Sequence, residues 1–274
     1  MRTSTLPLAV VQYAPTPLNP AANLERIAGL VADAHARGAK LIVLPEMAST
    51  GYVEHADLHT LAEATDGTTV RTFKNLSRRY GVYLAAGFVE WRDGHIYNSL
   101  CFSTPGGDVS IYRKRHLIFW EHFYFRHGHE PLIVETDFGR IGFAICADMM
   151  YRHVWQEYRG KIDMAIISSA WPRRTPQTAL RVGWMLEPSW SLAGELPARI
   201  ARDLEINVLF SNQCGPCNVR IPHLGPATSA AFAARSGIFD HRGNRVNAEN
   251  DAEHISFGPA NDFQERLPCV TLSA

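Results

Sequence analysis

The sequence predicts an α/β fold in which helices pack on the outside of a mixed, layered β-sandwich. Short apolar runs typical of buried strands alternate with stretches whose apolar residues recur at helical spacing. Turn signals such as Asp93-Gly94 and Pro105-Gly106-Gly107-Asp108 separate neighbouring strand patterns as hairpins require. Because strands and helices are mixed along the whole chain, layers of helices on sheets are favoured.

The individual elements follow from these two periods. Strands are predicted where short apolar runs occur, at residues 6–13, 40–44, 82–90, 96–103, 109–113, 140–145, 163–168 and 206–211. Helices are predicted where apolar residues fall on one face, at residues 24–34, 70–80, 151–158 and 196–204. After residue 225, only short apolar runs surround a turn at Asp240–Asn244.

Length and composition narrow the class of protein. The chain has 274 residues, 46% of them apolar, which is enough for one large core, and a single domain over residues 1–274 is expected. Lys plus Arg total 27 and Asp plus Glu total 27, without charged runs, so neither nucleic acid nor a membrane surface is favoured as a partner. A small molecule is therefore the expected partner.

The N-terminus and the cysteines indicate the compartment. Residues 1–13 are too short for a membrane span and too interrupted for a signal sequence. Five cysteines are an odd number in a chain too large to need disulfides, which favours reduced thiols and a cytoplasmic protein.

Three chemically reactive residues each follow a predicted strand. Glu46 comes after Leu41–Pro45, Lys114 after Val109–Arg113 and Cys146 after Ile141–Ile145. Since ligands bind beyond the carboxyl ends of strands in open α/β sheets, these side chains are candidates to converge. Alternation also places Gly142, Ala144 and Cys146 on one small-residue face, which is expected to leave room beside the sulfur.

Each residue also has a purely structural interpretation. A cysteine that closes an apolar strand is commonly an inert small hydrophobe. Glu46 alone fits a surface carboxylate, and Lys114 between Arg113 and Arg115 fits a solvated basic face. Residue type alone leaves these alternatives open.

The flanking segments carry a family resemblance. Residues 41–52 (LIVLPEMASTGY), 112–117 (YRKRHL) and 139–151 (GRIGFAICADMMY) resemble, in order and spacing, the three signature segments of the nitrilase or carbon–nitrogen hydrolase superfamily. The likeness continues at residues 10–27, 168–172 and 209–215, whereas residues 230–246 match only loosely. The resemblance implies a four-layer α-β-β-α sandwich, often assembled as a homodimer or higher homo-oligomer.

The resemblance also implies roles for the reactive residues. Cys146 would attack a carbonyl carbon, Glu46 would act as general base, and Lys114 with the backbone N–H of Ala147 would stabilise the oxyanion. Glu121 matches a second glutamate that orients the lysine and the substrate nitrogen. Lys114 is further expected to bias Cys146 toward the thiolate, because a nearby ammonium lowers the pKa of a thiol.

Two aromatic residues match positions that line the substrate pocket in such proteins. These are Tyr52 and Trp171, although aromatic residues at strand ends commonly serve packing alone. Asp148 is interpreted as an N-cap for the following helix. Residues 172–197, with Trp184 and Trp190, form a stretch longer than usual that is expected to cover the pocket or a dimer contact.

The predicted reaction is hydrolysis of a small amide through a cysteine thioester. Nitrilases usually follow the nucleophile with Trp-Glu, whereas this chain has Ala147-Asp148, which favours an amide over a nitrile. An N-carbamoyl-amine hydrolase, a nitrilase and a non-catalytic member of the fold are the alternatives.

Two further patterns are interpreted as structural. The spacing of Cys214 and Cys217 matches redox and metal sites, but no second such pair exists. Four histidines in one loop match no zinc pattern and are interpreted as a surface loop: His116, His122, His127 and His129. No metal and no cofactor are therefore expected.

Overall fold

The computed structural model describes residues 7–173, 192–217 and 230–259. Within these ranges two β-sheets pack face to face, and helices cover the outer face of each sheet. The arrangement is the four-layer α-β-β-α sandwich that was predicted.

The described strands, in chain order, run along most of the chain. They are β1 (Leu8–Gln12), β2 (Leu41–Val43), β3 (Tyr83–Arg92), β4 (His95–Ser103), β5 (Val109–Arg113), β6 (Ile133–Thr136), β7 (Gly139–Ile145), β8 (Met164–Ser169), β9 (Pro172–Arg173), β10 (Asn207–Asn212), β11 (Pro216–Cys217), β12 (Ala230–Phe232), β13 (Gly237–Phe239) and β14 (His254–Gly258). The described helices are α1 (Pro20–Ala36), α2 (Leu58–Leu61), α3 (Thr68–Tyr80), α4 (Glu121–Tyr124), α5 (Arg152–Tyr158) and α6 (residues 192–204).

Among the described residues the strands form two large sheets and a small one. The first sheet has the order β14-β1-β2-β3-β4-β5 and the second the order β13-β10-β8-β7-β6. Strands β1, β2 and β3 are parallel, as are β7, β8 and β10. The remaining pairs in both sheets are antiparallel, including the predicted β3–β4 hairpin at Asp93-Gly94. Strands β11, β12 and β9 form a separate three-stranded sheet.

The alternation of side chains along β1 shows why the sheets stack. Leu8 and Val10 belong to the core between the sheets, whereas Ala9 and Val11 pack beneath α1 and α3. Between the sheets the rings of Phe102 and Phe143 lie 5.0 Å apart. Strand β1 is therefore apolar on both faces, as expected for a strand in a sheet that is covered on both sides.

Gly142 of β7 packs closely against neighbouring side chains. An added Cβ there would lie 2.9 Å from Ile162 Cδ1 and 3.1 Å from Tyr158 Cδ1. The small residue at this position therefore serves packing, and the predicted room beside the Cys146 sulfur stays a prediction.

The C-terminal part of the chain contains two sheet strands that its short apolar runs did not predict. Strand β13 pairs with β10 and β14 pairs with β1, so each large sheet receives one edge strand from this region. Strand β6 was also not predicted.

Residues 174–191 of the long stretch, with Trp184 and Trp190, lie outside the described residues, as does Cys269. No helix in the described ranges is long and apolar enough to cross a membrane.

Candidate active site

Glu46 lies in a tight turn that follows β2. Gly87 of the neighbouring strand β3 permits this turn, because a Cβ there would lie 2.3 Å from the Met47 backbone nitrogen and 2.7 Å from the Pro45 oxygen. Met47 itself has a φ of 46°, a conformation that non-glycine residues rarely adopt. The turn therefore depends on close backbone packing against β3, and this packing sets the position of the carboxylate.

The Glu46 side chain is completely buried, and both of its carboxylate oxygens accept hydrogen bonds. Its Oε1 accepts hydrogen bonds from Lys114 Nζ and Asn98 Nδ2, both at 2.7 Å, and its Oε2 accepts from the Ala170 N–H at 2.7 Å. The Glu46 backbone oxygen accepts from Gln213 Nε2 at 2.8 Å. Since Ala170 and Gln213 follow strands of the second sheet, Glu46 joins the ends of the two sheets.

Lys114 directly follows β5, and its ammonium is equally buried. Nζ lies 2.7 Å from Glu46 Oε1 and 2.6 Å from Glu121 Oε1. Burial lowers the pKa of Lys114, but the charges of Glu121 and Glu46 together outweigh it and raise the pKa. The lysine is therefore a permanent cation between two carboxylates.

Glu121 is the first residue of α4 and is bound much as Glu46 is. Its Oε1 accepts from Lys114 Nζ and from Asn98 Nδ2 at 3.2 Å, and its Oε2 accepts from the Ile118 N–H at 2.8 Å. Burial raises the pKa of Glu121, and the charge of Lys114 offsets only part of that rise. Glu121 thus joins the cluster that was predicted around Lys114.

Cys146 is the first residue after β7 and begins a 3₁₀ turn over Cys146–Met150. Its φ is 47°, so the chain turns sharply at the sulfur-bearing residue. Strained backbone of this kind is concentrated at functional sites. The side chain is 1% exposed.

Burial raises the pKa of the Cys146 thiol above its ordinary value, although Lys114 acts to lower it as predicted. Burial and the charge of Glu46 raise its pKa by more than Lys114 lowers it. The charges of Glu46, Lys114 and Glu121 all act on the pKa of this thiol, so the sulfur lies within their electrostatic reach. A buried, neutral thiol needs a base before it can attack.

Ser169, at the end of β8, also affects the sulfur. Its hydroxyl acts on Cys146 to lower the pKa of the thiol. The Oγ atom is buried and has no other hydrogen-bond partner in the described part of the chain. The interaction with the sulfur is weak, because sulfur is a poor hydrogen-bonding partner.

Asp148 does not cap the following helix, so that prediction is wrong. Tyr151 precedes α5, and the Asp148 carboxylate instead points back toward β5 and β7. It accepts hydrogen bonds from the backbone N–H groups of Ile145, Arg115 and His116 and from the Tyr112 hydroxyl. These donors outcompete the helix terminus, and they tie the segment after Lys114 to the turn that carries Cys146.

The remaining predicted residues surround the cluster. Ala147 is buried in the 3₁₀ turn, whose first N–H groups have no partner inside the turn. The ring of Tyr52 lies 5.7 Å from Lys114 Nζ and 5.0 Å from the ring of Trp120. Trp171 follows Ala170, and its backbone N–H donates to Asn212 Oδ1 at 2.7 Å.

The histidine loop is only partly a surface feature. His122, His127 and His129 are exposed, whereas His116 Nδ1 lies 2.8 Å from Asp148 Oδ1 and its ring stacks on Tyr151. Cys214 and Cys217 are buried and form no disulfide within the described residues. In the described ranges no three His, Cys, Asp or Glu side chains are grouped so that they could hold a metal ion.

Asn98 is the site residue that sequence reasoning missed. It lies in the middle of β4, is 1% exposed, and bonds both Glu46 and Glu121 through Nδ2. An amide within an otherwise apolar strand (HIYNSLCFS) was the available signal, because a buried polar group needs a partner.

Comparisons with known proteins show the family of this chain. Residues 7–253 match the carbon-nitrogen hydrolase family model. The chain is 34% identical over 149 residues to a nitrilase from Pyrococcus abyssi, covering 53% of this chain and 56% of that protein. It is 34% identical over 142 residues to an (R)-stereoselective amidase from Pseudomonas sp., covering 52% of each. The matches thus span about half the length of these relatives.

Solved structures share the fold over nearly the whole chain. Nit3 of Saccharomyces cerevisiae, of the nitrilase superfamily, superposes with a TM-score of 0.76 at 21% identity, covering 98% of this chain and 96% of that one. An amidase from Nesterenkonia sp. gives a TM-score of 0.76 at 19% identity, covering 97% and 95%. At these identities the likeness concerns the fold. With the family model matching most of its length, the chain belongs to the carbon-nitrogen hydrolase family.

Proposed function

We propose that this protein hydrolyses a small amide through a thioester on Cys146. The observation that carries the proposal is the buried cluster in which Lys114 Nζ lies 2.7 Å from Glu46 Oε1 and 2.6 Å from Glu121 Oε1, with their charges acting on the Cys146 thiol. The cluster supplies a nucleophile, a proton acceptor and a cation, which are the groups that acyl transfer needs.

In the first half-reaction the Cys146 sulfur attacks the amide carbonyl carbon, and Glu46 accepts the thiol proton. The carbonyl oxygen becomes an oxyanion. The carbon–nitrogen bond then breaks, Glu46 returns the proton to the leaving nitrogen, and ammonia or an amine departs. The acyl group stays on sulfur as a thioester.

In the second half-reaction water attacks the thioester and gives a proton to Glu46. The carbon–sulfur bond breaks, the carboxylic acid departs, and the thiol regains its proton from Glu46. One water molecule is consumed per amide bond, and the enzyme returns to its starting state.

The oxyanion is stabilised by Lys114 and by the N–H of Ala147. An ammonium has three hydrogens, and two of those on Lys114 are donated to Glu46 and Glu121 within the described residues. The third is available to the oxyanion without breaking either contact. Preorganised donors of this kind cost no reorganisation during the reaction.

The acyl group of the substrate is small and enters beside Tyr52. An apolar cluster that includes Met47, Tyr52, Trp120 and Phe232 borders the catalytic carboxylates. Tyr52 keeps its proton, because burial raises its pKa well above the usual range. Tyr52 therefore presents an uncharged ring to the site. Ala147-Asp148 after the nucleophile supports an amide over a nitrile.

Mass spectrometry and ammonia release test the proposal together. The protein is incubated separately with small aliphatic amides, the matching nitriles and N-carbamoyl amines. Amide turnover with an acyl adduct on the Cys146 peptide is expected. Carbon dioxide release from the carbamoyl substrates, or turnover of nitriles alone, would assign the alternative reaction.

Two variants control the assignment of the nucleophile. Cys146→Ala is expected to abolish both adduct and turnover, whereas Cys101→Ala, which alters a buried thiol on the far side of the first sheet, is expected to preserve them. An adduct that survives in Cys146→Ala would contradict the proposal, as would a native protein that neither turns over nor acylates.

A further inference from the structure

Four polar atoms form a closed ring at the centre of the site. Lys114 Nζ and Asn98 Nδ2 each donate to the same two oxygens, Oε1 of Glu46 and Oε1 of Glu121. The charged donor lies at 2.7 and 2.6 Å and the neutral donor at 2.7 and 3.2 Å. Both carboxylates are thus held by one cation and one amide.

The ring leaves a defined acceptor position on each carboxylate. A carboxylate oxygen can accept about two hydrogen bonds. Oε1 of Glu46 is filled by Lys114 and Asn98, whereas Oε2 accepts one bond, from the Ala170 N–H at 2.7 Å, in the described part of the chain. Glu46 therefore has its free position on Oε2, next to the segment that contains Ser169.

The orientation of the Asn98 amide follows from the same contacts. Turning the amide over would place its oxygen against two carboxylate oxygens, which is repulsive. The nitrogen must face the ring, and Asn98 Oδ1 is left buried with no hydrogen-bond partner among the described residues. A buried amide oxygen without a partner is unfavourable, so the contacts of Nδ2 dominate the placement of this side chain.

The backbone of Asn98 fixes the lysine as well. The Lys114 N–H donates to the Asn98 oxygen at 2.8 Å, immediately after β5 ends. One residue of β4 thereby positions the lysine through its main chain and both carboxylates through its side chain.

We propose that Asn98 is a positioning residue that, with Lys114, fills Oε1 of Glu46 and confines proton exchange to Oε2. This inference rests on the proposed function of Glu46 as base. The proton leaves the Cys146 sulfur, resides on Glu46 Oε2, and passes from there to the leaving nitrogen. Without Asn98, the carboxylate has two competing positions for the proton and loses a donor that favours its ionised form.

Alkylation of Cys146 by iodoacetamide tests the role of Asn98 without any substrate. The rate constant is measured from about pH 5 to about pH 9 by mass spectrometry of the Cys146 peptide. Asn98→Leu replaces the amide by a side chain of similar volume that has no donor. It is expected to raise by about one unit the pH at which the alkylation rate constant is half-maximal. Its maximal rate constant is expected to fall about ten-fold or more, since base assistance is impaired.

Ser99→Ala is the matched control. Ser99 is the next residue of β4, is buried, and donates to Glu90 Oε2 at 2.7 Å outside the site. The Ser99→Ala variant therefore loses a comparable buried hydrogen bond, and the pH profile of its Cys146 alkylation is expected to match that of the native protein. A thermal transition is recorded for each variant. Should Asn98→Leu not fold, Asn98→Ser keeps one donor but is too short to bridge both carboxylates, and a smaller shift in the same direction is expected.

The outcomes separate this inference from the proposed function. A native protein whose Cys146 does not react contradicts the proposed function. If the native profile is normal, and the folded variants Asn98→Leu and Asn98→Ser both reproduce it within about two-fold, the role of Asn98 is contradicted while the proposed function is not. An equal shift in Ser99→Ala would also overturn it, because the effect would then be a general loss of packing.

Discussion

Asp148 Oδ1 lies 2.8 Å from both the backbone nitrogen and Nδ1 of His116. One carboxylate oxygen thereby anchors the segment two residues beyond Lys114, and the same side chain accepts from the Ile145 N–H just before Cys146. The relative position of the lysine and the thiol therefore depends on Asp148.

Asp148→Asn is expected to destabilise the protein by about 2–4 kcal/mol, because an NH₂ group would face buried backbone donors. The free energy of unfolding in urea measures this. Asp203→Asn, which removes an exposed ion pair with Arg199, is the control and is expected to cost under about 0.5 kcal/mol. Equal costs for the two variants would show that Asp148 does not anchor the site.

Gly87→Ala is expected to displace the turn that carries Glu46, since the new methyl group would overlap the Met47 nitrogen. Overpacking of this kind costs about 1–3 kcal/mol, and kcat is expected to fall at least ten-fold because the carboxylate shifts. Gly29→Ala, at an exposed position of α1 with nothing within 4 Å, is expected to stabilise the protein by up to about 1 kcal/mol. Full activity in Gly87→Ala would contradict the proposed dependence on this close approach.

The raised pKa of Glu121 predicts a pH dependence of stability. Because burial raises the pKa, the folded protein holds this proton where the unfolded chain has lost it, and the stabilising contribution disappears as pH rises from the usual glutamate range to the folded value. The stability of Glu121→Gln relative to native is therefore expected to increase as pH rises. Urea midpoints measured at a series of pH values provide the comparison.

Glu157→Gln supplies a control of opposite sign. A hydrogen bond from Arg115 lowers the pKa of Glu157, so its contribution is present above the usual range and is lost as pH falls through the lowered value. The native protein is expected to be more stable than Glu157→Gln at neutral pH, and this difference in the free energy of unfolding is expected to shrink toward acid pH. The same trend in both variants would refute the burial argument for Glu121.

Ser169→Ala is expected to slow the alkylation of Cys146 several-fold at neutral pH, because the hydroxyl that lowers the thiol pKa is lost. Ser103→Ala removes another buried hydroxyl, one that has no hydrogen-bond partner among the described residues and lies away from the site, and is the control. An unchanged rate in Ser169→Ala would remove Ser169 from the environment of the sulfur.

Local periodicity predicted the α/β class, whereas the four-layer sandwich and the members of the cluster were predicted from the resemblance to the carbon–nitrogen hydrolase superfamily. Apolar periodicity identified most strands of the two sheets, and Glu46, Lys114 and Cys146 were recognisable at strand ends. Short β13 and β14 were missed, since three to five residues carry little periodic signal before a partner strand is known.

Interactions between distant segments could not be predicted in the same way. The role of Asp148 depends on which backbone N–H groups come near it, and those of Arg115 and Ile145 are supplied by different sheets. The raised pKa of Cys146 depends on a balance between burial and nearby charges, which requires the packed structure. Asn98 was missed for the same reason, because its partners lie far away in the chain.

The late position of β14 has a consequence for biosynthesis. Strand β1 leaves the ribosome well before β14, which pairs with its outer edge in the described part of the chain. Until residues 254–258 emerge, β1 presents unpaired N–H and C=O groups that can pair with a strand of another nascent chain. Expression of versions truncated before residue 254 is therefore expected to yield inclusion bodies, even though every proposed catalytic residue is present.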